Sequence, residues 1–161
     1  MMEKIGTNQL DELVSYLTDA LGARVMQTFD SDTSEVRQVN SAKNLGLGYL
    51  RTGFDVFDVE LVWSDWPYRM LSPELPTSLL EAWLHDNGDM RETLQLTEPT
   101  YDIIRGDDDT MMVTLNVGLY KERVIREDPR GVILREGKRY SIATPEVWVA
   151  EESTVSVEPN A

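Results

Sequence analysis

The stretch that leaves this chain least freedom is "MMVTLNVGLY", residues Met111 to Tyr120, where apolar and polar positions alternate almost without fault. Met111, Val113, Leu115, Val117 and Leu119 fall on one face, and Met112, Thr114, Asn116 and Tyr120 on the other. A period of two residues is that of a β-strand with one dry side, and such a side must be covered by other elements of the fold. Directly before it stands "RGDDD", Arg105 to Asp109, and before that Tyr101 to Arg105 reads as a second strand. Glycine supplies an unusual backbone angle and aspartate accepts hydrogen bonds from nearby backbone groups, so "GDDD" predicts a hairpin turn. A metal site would need these carboxylates to converge, whereas adjacent residues on an exposed turn point apart.

Three further segments carry readable periods. Leu10, Leu13, Val14, Leu17 and Leu21 recur at helical spacing and predict an amphipathic helix over 8–21, with Asn8 as N-cap, Asp11 and Glu12 complementing the helix dipole, and Gly22 ending it. "YLRTGFDVFDVELVW", Tyr49 to Trp63, predicts a central strand whose Phe57, Val59, Leu61 and Trp63 share a buried face, opposite Val56, Asp58 and Glu60. "PTSLLEAWLHDN", Pro76 to Asn87, predicts a second helix closed by Gly88, with proline at its first turn and Leu79, Leu80, Trp83 and Leu84 facing inward.

Between these, 23–29 reads as a short strand, and the polar residues 30–44 as a loop or mobile hairpin. Asp30 to Glu35 alternates oxygen donors like the start of a calcium loop. The glycine and glutamate that such a loop needs at its sixth and twelfth positions are replaced by Glu35 and Ser41, so a solvated loop is expected. Residues 88–99 look irregular, with Leu94 and Leu96 as a possible strand start. "DPRG", Asp128 to Gly131, fits a type I turn, and "VILREGKRYSI" returns as one more strand. The closing segment holds Val147, Trp148 and Val149 and then a polar tail, 151–161, expected to be disordered.

Two helices among mainly antiparallel strands argue for an α+β domain, a twisted sheet with both helices packed on it, spanning 1–150 as a single domain. Composition narrows the chemistry. The chain has no cysteine, which excludes disulfides, thiolate zinc sites, iron–sulfur clusters and cysteine nucleophiles. Its one histidine, His85, stands near the end of a helix without a serine or second histidine motif beside it, and reads as a dipole or surface group. Twenty-nine acidic against 15 basic residues give a net charge of −14, which disfavours a nucleic-acid or anionic-membrane surface. No apolar run approaches the ~20 residues of a spanning helix, and the first residues lack the features of a signal peptide, so a soluble cytoplasmic protein is expected. Phosphate loops, nucleophile elbows and zinc-protease helices are absent from the sequence, and no cofactor is implied. Arg123, Arg126, Arg130, Arg135, Lys138 and Arg139 cluster against the acidic background, either as cross-strand ion pairs on a solvated edge or as a docking patch for an acidic protein. From the residues alone, a non-enzymatic acidic domain that assembles with protein partners is the reading.

"FDVFDVELVWSDWP…LPTSLLEAWLHDNGDM" and "YDIIRGDDDTMMVTLNVGLYKERVIRE", followed by "GVILREG", resemble the phage tail completion protein R family of peduovirus-type contractile-tailed phages. Order and spacing agree over roughly 49–137; the N-terminal loop and closing tail do not obviously match. The resemblance implies a structural virion protein, made in the bacterial host cytoplasm. It would form a ring of six copies at the head-proximal end of the tail, capping the tube protein and presenting a surface to the head connector or neck, with sheath protein nearby. Acidic residues at such a ring's lumen would let genomic DNA pass without sticking. Asp107, Asp108 and Asp109 are candidates for that role. Arg123, Arg126, Arg130 and Arg135, with Trp148 as apolar anchor, are candidates for protein interfaces. The rival readings are an acidic adaptor or DNA mimic that binds a basic protein, and a metal enzyme built on clustered carboxylates such as Asp55, Asp58 or Glu60.

Overall fold

A computed structural model describes residues 3–4, 6–106, 108–143 and 148–149. The elements in chain order are β1 (Glu3–Lys4), α1 (Gln9–Leu21), a short 3-10 turn (Val25–Thr28), β2 (Phe29–Thr33), β3 (Arg37–Gly46), β4 (Tyr49–Trp63), α2 (Leu75–Asn87), β5 (Thr100–Arg105), β6 (Met111–Glu127), β7 (Ile133–Arg135), β8 (Lys138–Ile142) and β9 (Trp148–Val149). The fold is α+β. Seven strands form one sheet in the order β2-β4-β6-β8-β7, with β3 also paired to β4 and β5 to β6, while β1 and β9 form a separate antiparallel pair.

The two longest strands run through two compact units of the chain. One unit comprises Gln9–Arg37 and Val56–Tyr120; the other comprises Met1–Asn8, Gln38–Asp55 and Lys121–Ala161. In the first, Phe57, Val59, Leu61 and Trp63 of β4 and Met111, Val113, Leu115, Val117 and Leu119 of β6 present one dry face, as their alternation predicts. Leu13 and Leu17 of α1 and Leu80 and Trp83 of α2 cover it, all at most 5% exposed. Phe29 tilts against Trp63 at 4.9 Å between ring centres, and Trp66 meets Trp63 edge-on at 5.7 Å, a geometry that suits the ring quadrupoles. Gly22, with φ of +87°, takes the left-handed conformation that ends α1, and its N–H bonds the Thr18 carbonyl at 2.8 Å. Pro76 sits in the first turn of α2.

In the second unit the buried apolar set is smaller: Phe54, Val124, Ile125, Tyr140 and Ala143 are buried, and Leu45 and Tyr49 pack against Val124 and Ala143. Polar contacts do much of the joining: Arg51 pairs with Glu122 at 3.5 Å, Arg123 with Asp55 at 2.8 Å, and the Arg51 guanidinium stacks 4.5 Å above the Phe54 ring.

The structure corrects several local expectations. Residues 25–28 wind into a 3-10 turn where a strand was expected over 23–29, and pairing begins only at Phe29. The polar stretch 30–44 is not a loop. Its first part is β2, in register with β4 from Phe29 opposite Trp63 to Thr33 opposite Val59, and its second part is β3. Both have largely exposed side chains, so the backbone ladder rather than an apolar face holds them and hydrophobic periodicity is silent. Leu94 and Leu96 do not start a strand: they are 3% and 7% exposed anchors of a turn that Arg91 ties down, donating to the carbonyls of Gly118 at 2.6 Å and Thr97 at 2.5 Å. Burial pushes the Arg91 pKa down. Last, 132–142 is two strands, because Glu136 and Gly137, with φ of +49° and +80°, make the tight turn that reverses β7 into β8.

Candidate assembly surfaces

The aspartate turn is built as a hairpin tip. β5 pairs with β6 from Thr100 opposite Asn116 to Arg105 opposite Met111, and the Gly106 N–H donates to the Thr110 carbonyl at 2.8 Å. Thr110 donates its hydroxyl to Asp108 at 2.8 Å. Asp109 takes a positive φ of +68°, which a short polar side chain tolerates better than most. Its carboxylate accepts the Tyr68 hydroxyl at 2.5 Å and pairs with the Arg69 guanidinium. The Tyr68 hydrogen bond, with Arg69 behind it, holds the Asp109 carboxyl below the usual carboxylate range, and the same bond raises the Tyr68 phenol. Arg105 lies over the Tyr68 ring at 4.8 Å. The tip is therefore a mixed-charge cluster: Asp108 and Asp109 stand beside Arg69 and Arg105. Asp107 lies outside the described residues.

A second acidic surface escaped the sequence reading. Asp32 of β2 stands opposite Glu60 of β4, with Asp30 and Asp58 two residues along their strands, so alternation brings four exposed carboxylates to one face. The signal was present as Asp-x-Asp in one segment and Asp-x-Glu in the other, and it required knowing that the two segments pair. Among the described residues, no group of three His, Asp or Glu side chains is arranged to hold a metal ion.

The arginines divide by environment. Arg123 faces β4: it pairs with Asp55 and lies 3.4 Å from the Thr52 hydroxyl, with about a quarter of its side chain exposed. Arg126 and Arg130 are exposed, and Arg135 is half-buried at the end of β7. The Arg130 N–H donates to Asp128 at 2.9 Å, and Gly131 closes that turn on the Asp128 carbonyl at 2.8 Å. Lys138 pairs with Glu127 at 3.4 Å, and Arg139 donates to the Gly131 carbonyl at 3.1 Å. Trp148 pairs through its backbone with Lys4; its side chain lies outside the described part. His85 is exposed in the last turn of α2. No helix among the described residues is long and apolar enough to cross a membrane.

Comparison with known proteins places these surfaces in context. The model of the family described as P2 phage tail completion protein R (GpR) matches residues 7–145. A protein of Haemophilus phage HP1 (strain HP1c1), described as an uncharacterized 19.2 kDa protein in the rep-hol intergenic region, is 24% identical over 150 residues, covering 91% of this chain and 88% of that one. No solved structure matches. The family match runs through the helices, the long central strands and both hairpins, and the chain belongs to the P2 phage tail completion protein R family, structural proteins of the phage tail.

Proposed function

We propose that this protein completes the tail by capping the head-proximal end of the tail tube. The observation that carries the reading is the family match over 7–145, which crosses both compact units and supports treating 1–150 as one functional domain. Six copies would close into a ring on the last ring of tube protein, stop further addition, and offer the opposite side to the head connector, with sheath protein at the rim. The work is mechanical and needs no cofactor. Each subunit mates differently with its neighbours, the tube and the connector, and heterologous contacts of this kind close into rings when the rotation permits.

Within that scheme Arg126 and Arg130 are the side chains best placed to reach a partner, being exposed. Arg135 and Trp148 complete the proposed contact set, while Arg123 positions β6 against β4 through Asp55. The hairpin tip with Asp107, Asp108 and Asp109 would face the lumen. Arg69 offsets Asp109, so repulsion of the passing genome falls mainly to Asp107 and Asp108. The test is complementation: a phage lacking the gene, supplied with Arg126→Glu/Arg130→Glu protein, is expected to yield few infectious particles. A normal titre would remove the basic surface from the account. The four-carboxylate face on β2 and β4 favours a second reading, an acidic adaptor for a basic protein. Under that reading the protein would compete with DNA for its partner and would not sediment with tail tubes.

A further inference from the structure

We propose that the C-terminal segment of one copy, residues 150–161, docks as an added strand on the outer face and free edge of the β7–β8 hairpin of the next copy. The hairpin face is defined by register. Leu134 stands opposite Arg139, and Ser141, two residues on, stands opposite Arg126 of β6, so alternation puts these four on one side with Val132 beside Leu134. Val132 is 90% exposed and Leu134 65% exposed, and both charged members of the face are arginines. β7 is the last strand in the sheet order, and among the described residues no strand pairs with its outer edge. An edge that shows aliphatic side chains is a template for another strand, and proteins ordinarily blunt such edges or cover them.

The chain supplies a segment with the matching chemistry. "EESTVSVE", residues 151–158, carries Val155 and Val157 two apart, the spacing of one strand face, between Glu151 and Glu152 on one side and Glu158 on the other. No lysine or arginine occurs in 150–161. Strand addition would take backbone hydrogen bonds from the β7 edge, set the valines beside Val132 and Leu134, and bring Glu151, which shares the valines' face, toward Arg139 on the neighbouring strand, with Arg126 one strand further in. A second copy is the occupant the charge argues for. Chains of net charge −14 repel one another, and association between them needs a local region where the signs are opposed; arm and hairpin provide one. The inference rests on the ring reading above, and names what joins neighbours: an arm reaching the next subunit is a heterologous contact that repeats around a ring.

Because the chain has no cysteine, the test is clean. Leu134→Cys protein is mixed with size-tagged Val157→Cys protein under mild oxidation, and the mixed disulfide dimer is followed on non-reducing gels. Met70→Cys, at a position 81% exposed in the other unit, replaces Leu134→Cys as the control. The proposal expects the Leu134/Val157 pairing to form about tenfold faster than the control, because docking raises the effective concentration of the two thiols, and expects 1 M salt to erase the advantage. Equal rates overturn it. So does a doubly substituted chain, Leu134→Cys with Val157→Cys, that closes its disulfide within itself at high dilution. Microscopy of the intact protein separates the two readings: rings without preferential cross-linking overturn the arm and leave the ring, whereas preferential cross-linking without rings supports the arm and removes the ring.

Discussion

The two compact units are held together by different physics. In the unit of Gln9–Arg37 and Val56–Tyr120, two helices seal one dry face of β4 and β6, and Leu13, Leu17, Leu61, Leu80, Val113, Leu115, Val117 and Leu119 are fully buried. In the unit of Gln38–Asp55 and Lys121–Ala161 with the N-terminal residues, few apolar side chains are buried, cross-strand ion pairs bridge β4 and β6, and Val132, Leu134 and Ile142 stand in solvent. The strands record the change. On β4 the buried apolar side chains are odd-numbered from Phe57 to Trp63 but even-numbered at Phe54 and Val56; on β6 they are odd-numbered from Met111 to Leu119, with Tyr120 and the adjacent pair Val124 and Ile125 buried beyond. One unit is finished by its own chain. The other has a smaller core and, among the described residues, leaves Val132 and Leu134 at its sheet edge in solvent.

The largest loss of stability is expected in the first unit. Leu115→Ala leaves a cavity under both helices and is expected to cost about 2–5 kcal/mol, read as a lower urea midpoint with an unchanged slope. An effect under about 1 kcal/mol would mean that the face is not the core described. In the second unit, Arg123→Ala strands the Asp55 carboxylate in a partly buried site, for an expected loss of about 1–2 kcal/mol. A double-mutant cycle with Asp55→Ala isolates the coupling, and a coupling near zero would show that the pair is ornamental.

The hairpin tip sharpens the picture through pH. The Asp109 pKa is depressed in the folded state, chiefly by the Tyr68 hydroxyl and then by Arg69, so its contribution is present above the ordinary aspartate range and fades as pH falls through the lowered value. Asp109→Asn should therefore separate from the parent protein near neutral pH and converge with it in strong acid. Curves that stay parallel to pH 2 or so would place the interaction elsewhere. The smallest effect is expected at Lys138→Ala, which removes an exposed pair with Glu127 and should shift stability by less than about 0.5 kcal/mol.

Legibility followed the same division. The finished unit announced itself, because burial on one side of a strand or helix imposes a period: Met111 to Leu119, Phe57 to Trp63 and the Leu13/Leu17 stripe were readable directly. The 3-10 turn at Val25–Thr28 was missed because four residues are too few to show a period. β2 and β3 were missed because their exposed, polar side chains carry no alternation, and the Glu136–Gly137 reversal because its first residue is not the usual asparagine or aspartate. The site was legible as residue types, a basic cluster and an acidic turn. Its geometry was not: nothing in the linear order shows that Arg69 reaches Asp109, that Asp55 engages Arg123, or that Asp30, Asp32, Asp58 and Glu60 share a face.

The most direct test of the capping role is electron microscopy of lysates from a phage whose copy of this gene carries an early stop codon. The account predicts filled heads lying apart from tails of abnormal length, since tube growth is neither stopped nor joined to the head. Normal virions, or tails of normal length already attached to heads, would contradict it.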